Sequence, residues 1–299
     1  MYSGTTLTKY SGRVLGAHQK IDRIARKHLS RLLEDDKVFP KISQILHFEG
    51  KNGPDGIKRK SPAKDEPWHY FNPFDDADSK LTDLIDNHYK QLVKELKVGN
   101  RERISFEAAW LAHALVDGLT PAHHYPYEEK LVELMGGQGL ETRTTVRKKS
   151  IMPGNTRREK LKNNWEMWGA KGLLMTHWWF EVGISTIIKP LPFGDAAPKQ
   201  KDIDRIRELG VVAYFRLCAR EIGVLDMYNR YYEKGWTPKL AYDVRHKLGP
   251  LTIKSVTLTW YAALADAKVI DPQNLPGKSG LLSKRRELSS QKKAGHEAR

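Results

Sequence analysis

Residues 101–124 read RERISFEAAWLAHALVDGLTPAHH. Phe106, Trp110, His113 and Asp117 follow one another at spacings of four, three and four, which places them on one face of one helix. That face turns inward, because Phe106 and Trp110 need burial. Gly118 ends the helix, Pro121 restricts the turn, and His123 and His124 follow at once. Outward from this stretch the periodicity stays helical. Val14, Leu15, Ile21, Ala25 and Leu29 share one face, and similar patterns cover 79–97, 102–118, 160–188, 202–234 and 250–268. Alternating strand patterns are scarce and no internal repeat is present. The sequence therefore predicts an all-α fold: a single multi-helix domain over 11–272, an N-terminal arm over 1–10, and a basic, disordered tail over 273–299. Two long irregular loops are expected, a Gly/Pro-punctuated one over 48–78 and another over 138–157.

Of 299 residues, 39% are hydrophobic and 9% aromatic, enough for a packed core. One thiol, Cys218, excludes a disulfide framework and any site of several thiolates. The first residues lack the basic start and apolar run of a secretory signal, so a cytoplasmic location is expected. Gly172 to Ile188, the longest apolar stretch, contains His177 and Glu181 and makes a poor membrane span. The formal charge is +15, with seven basic residues in 277–299 and dense spots at Lys58–Lys60, Arg147–Lys149 and Arg157–Arg158. Such spots either solvate the surface or attract polyanions, nucleic acid or acidic lipid head groups among them. Nothing in the sequence reports an oligomeric state.

Chemistry is expected where polar residues interrupt apolar helix faces. A buried Asp117 needs a cation or several hydrogen bonds. Leu173, His177, Glu181, Ile184 and Ile188 carry another His/carboxylate pair four apart, and His18 and Asp22 repeat the theme on the first helix. One inward histidine is usually a satisfied core residue. Several inward His/carboxylate pairs in one helical chain point instead to a divalent metal held by imidazole and carboxylate, a donor set that suits catalytic zinc.

The run His113-x3-Asp117-x5-His123, with His177-x3-Glu181 later, resembles the zinc-dependent phospholipase C and single-strand-specific nuclease superfamily. Asp55 stands fourteen residues before His69, an offset that family also shows, and the segment from Trp68 to Pro73 looks like its His-aromatic segment. The resemblance spans residues 18 to 181. It implies an all-α fold and a trinuclear zinc site that cleaves phosphodiesters. By it, Asp55, His69, His113 and Asp117 hold the first metal, and His123, His177 and Glu181 the second. Asp117 bridges to a third metal bound by His18, and Asp55 also serves as the base.

The family supplies further ligands from a mature N-terminal Trp, whereas the positions compared here are Thr5 and Arg13. Asp22 could stand in as a ligand or pair with Arg26. His124 falls one residue out of register, as a supporting or surface residue, and His28, His47 and His88 match nothing in the motif. The expected activity is zinc-dependent phosphodiester hydrolysis of nucleic acid or phospholipid; the alternative is a metal-stabilised binding protein without catalysis. Charge and the aromatics Trp68, Tyr70, Tyr125 and Tyr127 favour nucleic acid. Glu181 and the Asp55–His69 offset sit closer to the phospholipase branch.

Overall fold

α14 (Gly249–Asp266) forms the centre of the fold, with Thr252, Ile253 and every residue from Ser255 to Leu264 buried in the computed structural model. The structure describes residues 1–4, 16–62 and 68–271. α1 (Ala17–Ser30) lays Ile21, Ala25 and Leu29 against α14. A single turn, α2 (Ile42–Ile45), and short 3₁₀ turns lead into α3 (Pro54–Lys60). α4 (Lys80–Val98) and α5 (Arg101–Gly118) then form a tight hairpin. Gly99 ends α4 at φ +81°, a left-handed conformation that glycine adopts without strain, and the Asn100 side chain caps α5 by accepting from the Arg103 amide.

α6 (Tyr127–Leu134), α7 (Val146–Ser150) and α8 (Arg157–Trp168) form a side layer with a small core of their own, in which Tyr127, Leu131, Met135, Met152 and Met167 are buried. The chain returns to the main core through α9 (Leu173–Ile188), α10 (Gln200–Leu209), α11 (Val211–Gly223), α12 (Met227–Lys234) and α13 (Pro238–Asp243). A π-helical turn over Val244–Leu248 joins α13 to α14 just before Pro250, whose missing N–H cannot continue an ordinary helical ladder. Cys218 is buried on α11.

Among the described residues the fold is all helical, with no strand and no helix long and apolar enough to cross a membrane. Helical phase is right where the expected boundaries are wrong. The pattern over 160–188 divides into α8 and α9, because a Cβ at Gly172 would lie 2.7 Å from the Met167 carbonyl group. The pattern over 202–234 divides into three helices at Gly210 (φ +76°) and at Asp226 (φ +48°). The interval 48–78 is not irregular throughout: it holds 3₁₀ turns and α3, while 138–157 holds α7. Val14, Leu15, Thr5, Arg13 and the tail over 273–299 lie outside the described residues.

Candidate metal centre

Four elements deliver the site. α5 ends at Gly118, and the chain turns through Thr120 into a 3₁₀ turn over Pro121–His124, which places His123 one turn beyond Asp117. The segment carrying His69 zips onto that turn: the Phe71 amide donates to the His123 carbonyl at 3.0 Å, and His123 Nδ1 donates to the His69 carbonyl at 2.9 Å. Asp55 sits in the first turn of α3, with Pro54 at its start. A Cβ at Gly56 would lie 2.0 Å from the Lys51 carbonyl oxygen, so glycine is what lets α3 abut the preceding turn. α1 supplies His18, and α9 supplies His177 and Glu181.

All eight residues singled out as ligands come together. His18, His113 and Asp117 form one group, Asp55, His69 and His113 a second, and His123, His177 and Glu181 a third; within each group the donor atoms lie within 4.8 Å of one another. Asp117 is common ground. Its Oδ1 lies 3.2 Å from His18 Nε2 and 3.6 Å from His123 Nδ1, and its Oδ2 lies 2.6 Å from His69 Nδ1 and 3.1 Å from His113 Nε2. Asp55 Oδ1 is 3.8 Å from His113 Nε2. Glu181 Oε1 lies 3.0 Å from His123 Nε2 and 3.1 Å from His177 Nε2. His18 and His113 stack with ring centres 4.2 Å apart.

Two participants were not legible in the sequence. The amino group of Met1 is buried and donates to Asp117 Oδ1 at 2.9 Å and Thr120 Oγ1 at 3.1 Å, with Glu181 Oε1 at 3.3 Å. A cation therefore already lies between the two carboxylates. Glu49 accepts from His113 Nδ1 at 3.0 Å inside the core, which leaves Nε2 facing Asp117 and Asp55. Nothing in the surrounding Phe48-Glu49-Gly50 marks that glutamate as more than a loop residue.

No family model, curated protein or solved structure matches the chain. The site is defined by its geometry and donor chemistry.

Protonation prepares most of these groups for a cation, with His113 the exception. Burial alone would push the Asp117 carboxyl up, but the Met1 amine, His123, His113 and His18 outweigh it and hold it well below the usual range. Burial also opposes Glu181, whose carboxyl the Met1 amine, His177 and His123 keep well below its ordinary value. Burial drives His123 down to about 3, and burial with Lys58 lowers His69, so both rings are neutral at pH 7. His113 goes the other way: burial lowers it, yet Glu49 and Asp117 together raise it well above the ordinary value. Buried nitrogens without a hydrogen-bond partner converge here, namely both nitrogens of His18, His69 Nε2, His113 Nε2 and His177 Nδ1. Unpartnered buried imidazole nitrogens beside ionised carboxylates are what a divalent metal would satisfy, so the donor set fits one.

Other sequence candidates stand apart. Asp22 belongs to none of the three groups, and Arg26 does not pair with it; Arg26 bonds Asp36 at 2.6 Å and the Pro40 carbonyl at 2.7 Å. Burial and the neighbouring Glu49 hold the Asp22 carboxyl well above its usual range. His124 Nε2 donates to the Gly118 carbonyl at 2.8 Å, His28 Nε2 to the Phe193 carbonyl at 2.9 Å, and His88 Nδ1 to Glu107 at 2.6 Å. His47 packs edge-on against Phe48. The aromatic residues expected to stack on bases are engaged with protein. Tyr70 stacks on Tyr127 at 5.1 Å, Tyr125 meets Tyr228 at 5.4 Å, and the Lys80 ammonium sits 4.0 Å over Trp68. Of the basic spots, Lys58 lies 5.6 Å from the Tyr70 ring centre, beside the site. Lys149 serves structure, its Nζ donating to the carbonyls of Lys58 and Ser61 and tying α7 to α3.

Proposed function

We propose that this chain is a metal-dependent phosphodiester hydrolase of the phospholipase C and nuclease type that its motifs resemble, with zinc as the ion. The supporting observation is Asp117: one buried carboxylate whose two oxygens face two different sets of imidazoles, as a carboxylate shared between neighbouring ions must. Divalent ions bound here would supply Lewis acidity toward a phosphoryl oxygen and a water that ionises near neutral pH. Imidazole and carboxylate oxygen without thiolate suit zinc.

The residues divide the remaining work. Glu49 accepts the Nδ1 proton of His113, and the His69 carbonyl accepts that of His123, so each ring is fixed with Nε2 toward the centre. Asp55 differs from Asp117 in exposure, with a quarter of its side chain open against 2%. Its carboxyl, raised by burial but lowered more by His113 and His69, is ionised at neutral pH and can take up a proton at the solvent-facing edge. Lys58, beside Tyr70, adds positive charge where a phosphate would enter.

Zinc-loaded protein tests the reading by elemental analysis alongside hydrolysis of a chromogenic phosphodiester, a single-stranded oligonucleotide and a soluble phosphocholine ester. About two or more ions per chain and turnover of at least one substrate are expected. Full metallation with none of the three cleaved would leave the metal-stabilised binding protein in its place.

A further inference from the structure

α8 is built inside out. Its inward contacts are largely polar: the Asn163 side chain donates to the carbonyls of Pro153 at 2.8 Å and Leu134 at 3.3 Å, and that of Asn164 donates to the Met152 carbonyl at 2.9 Å. Met167 is its one buried residue. The large apolar side chains point out. Leu161 is 73% exposed, Trp165 72% and Trp168 41%, at spacings of four and three that put them on one stripe. Ile151, 39% exposed, lies in the turn before the helix. Elsewhere Val98, Val224 and Leu209 are exposed singly at or beside helix ends, which is ordinary for a soluble surface.

Charge surrounds this stripe. Arg157 and Arg158 are exposed at its N-terminal end, and Arg147 and Lys148 are exposed on α7. α7 is fastened to α8 by the Trp168 indole N–H, which donates to the Ser150 carbonyl at 2.8 Å. We propose that this face seats the protein on an anionic lipid surface. Leu161, Trp165 and Trp168 would enter the boundary between head groups and acyl chains, and Arg147, Lys148, Arg157 and Arg158 would meet the phosphates. Indole and leucine on a convex helix with arginine beside them match that interface. Single-stranded nucleic acid fits less well, because base stacking makes no use of Leu161 or Ile151. α8 packs on α9, which carries His177 and Glu181, and α7 is tied to α3, which carries Asp55. The docking layer therefore packs against elements that carry candidate ligands of the metal centre. The seating itself does not depend on that centre being catalytic, since it is measured without turnover.

The test mixes the full chain with phosphatidylcholine vesicles, with and without phosphatidylserine, and reads co-sedimentation and tryptophan emission at low and high salt. Binding with a blue shift is expected only with phosphatidylserine, weakened by salt. Leu161→Ala with Trp165→Ala should lower the partition coefficient about tenfold and abolish most of the blue shift. Arg157→Glu with Arg158→Glu should lower it about tenfold or more on the anionic vesicles alone. Both variants alter exposed positions, and unchanged circular dichroism and melting temperature verify their folding. No binding to anionic vesicles overturns the proposal. So does binding that survives loss of Leu161 and Trp165, which would be charge attraction by other basic segments. Loss of oligonucleotide binding in the same variants, without vesicle binding, would give the face to nucleic acid. A concentration-dependent dimer abolished by them would give it to a second copy of the chain.

Discussion

Two histidine–carboxylate contacts of the same length involve α5. Near its start Glu107 accepts from His88 at 2.6 Å, and near its end Asp117 accepts from His69 at 2.6 Å. Both are buried, yet they differ in what is left over. Glu107 also accepts from Arg103 at 2.7 Å, and neither His88 nor Glu107 keeps a buried polar atom without a partner. Around Asp117 three further imidazoles and an amine crowd one carboxylate, and several ring nitrogens make no hydrogen bond. A short contact between imidazole and carboxylate therefore does not mark a metal site. Surplus donors converging on one point are what a divalent ion would satisfy.

The largest effect that could break this contrast is expected at Asp117. Asp117→Ala strands the Met1 ammonium and the surrounding imidazoles in the core, which should cost about 3–5 kcal/mol of stability and remove most bound zinc. Denaturant midpoints with and without a chelator, paired with elemental analysis, measure both; a variant that keeps full zinc would erase the distinction. Next comes Glu49, whose carboxylate accepts from His113 Nδ1. Glu49→Ala should weaken zinc affinity about 10–100-fold in competition with a chromogenic chelator. Affinity equal to that of the parent would reduce Glu49 to a packing residue.

A smaller effect is expected at the saturated pair. His88→Ala leaves Glu107 bonded to Arg103, so a cost of about 1–3 kcal/mol in thermal or chemical unfolding should come with no change in zinc content. Loss of zinc in that variant would show that the two ends of α5 are coupled. The smallest concerns Asp243, remote in sequence from any of these residues. Burial would raise its carboxyl, but Arg230 at 2.8 Å and Lys247 at 3.0 Å hold it below the usual value. The stability it contributes is complete above the unfolded pKa of about 3.9 and disappears as pH falls through the lower folded value. Asp243→Asn should flatten acid unfolding in that window, followed by circular dichroism, and leave stability at pH 7 slightly reduced.

The contrast also separates what the sequence revealed from what it hid. Spacing alone carried His113, Asp117 and His123, because α5 and the turn after it are contiguous, and the same holds for His177 and Glu181 within α9. Asp55 and His69 were reached only through a family resemblance, since no periodicity links α3 and the segment after it, whereas His18 also stood out among the apolar residues of the first helix. Glu49 and the Met1 amine escaped because each is brought in by tertiary contact alone, across 64 and 116 residues respectively. On the fold side, helix phase was legible nearly everywhere, whereas breaks depended on close backbone approach at Gly172 and on φ at Gly210 and Asp226. The reversed polarity of α8 was invisible for another reason. Leu161, Trp165 and Met167 are all apolar, and only packing decides which of them faces inward.

Sharing one carboxylate between groups has a further consequence. Asp117 cannot rotate toward His18 without also moving relative to His69 and His113, so the groups around it are not independent of one another. An ion on one side would fix the carboxylate plane and spare its neighbour the entropy of ordering that same group. The Met1 ammonium, already seated on Oδ1, holds the plane in the meantime. If metal fills the proposed site, partial occupancy should be scarce, and titration with metal should rise more steeply than for separate sites.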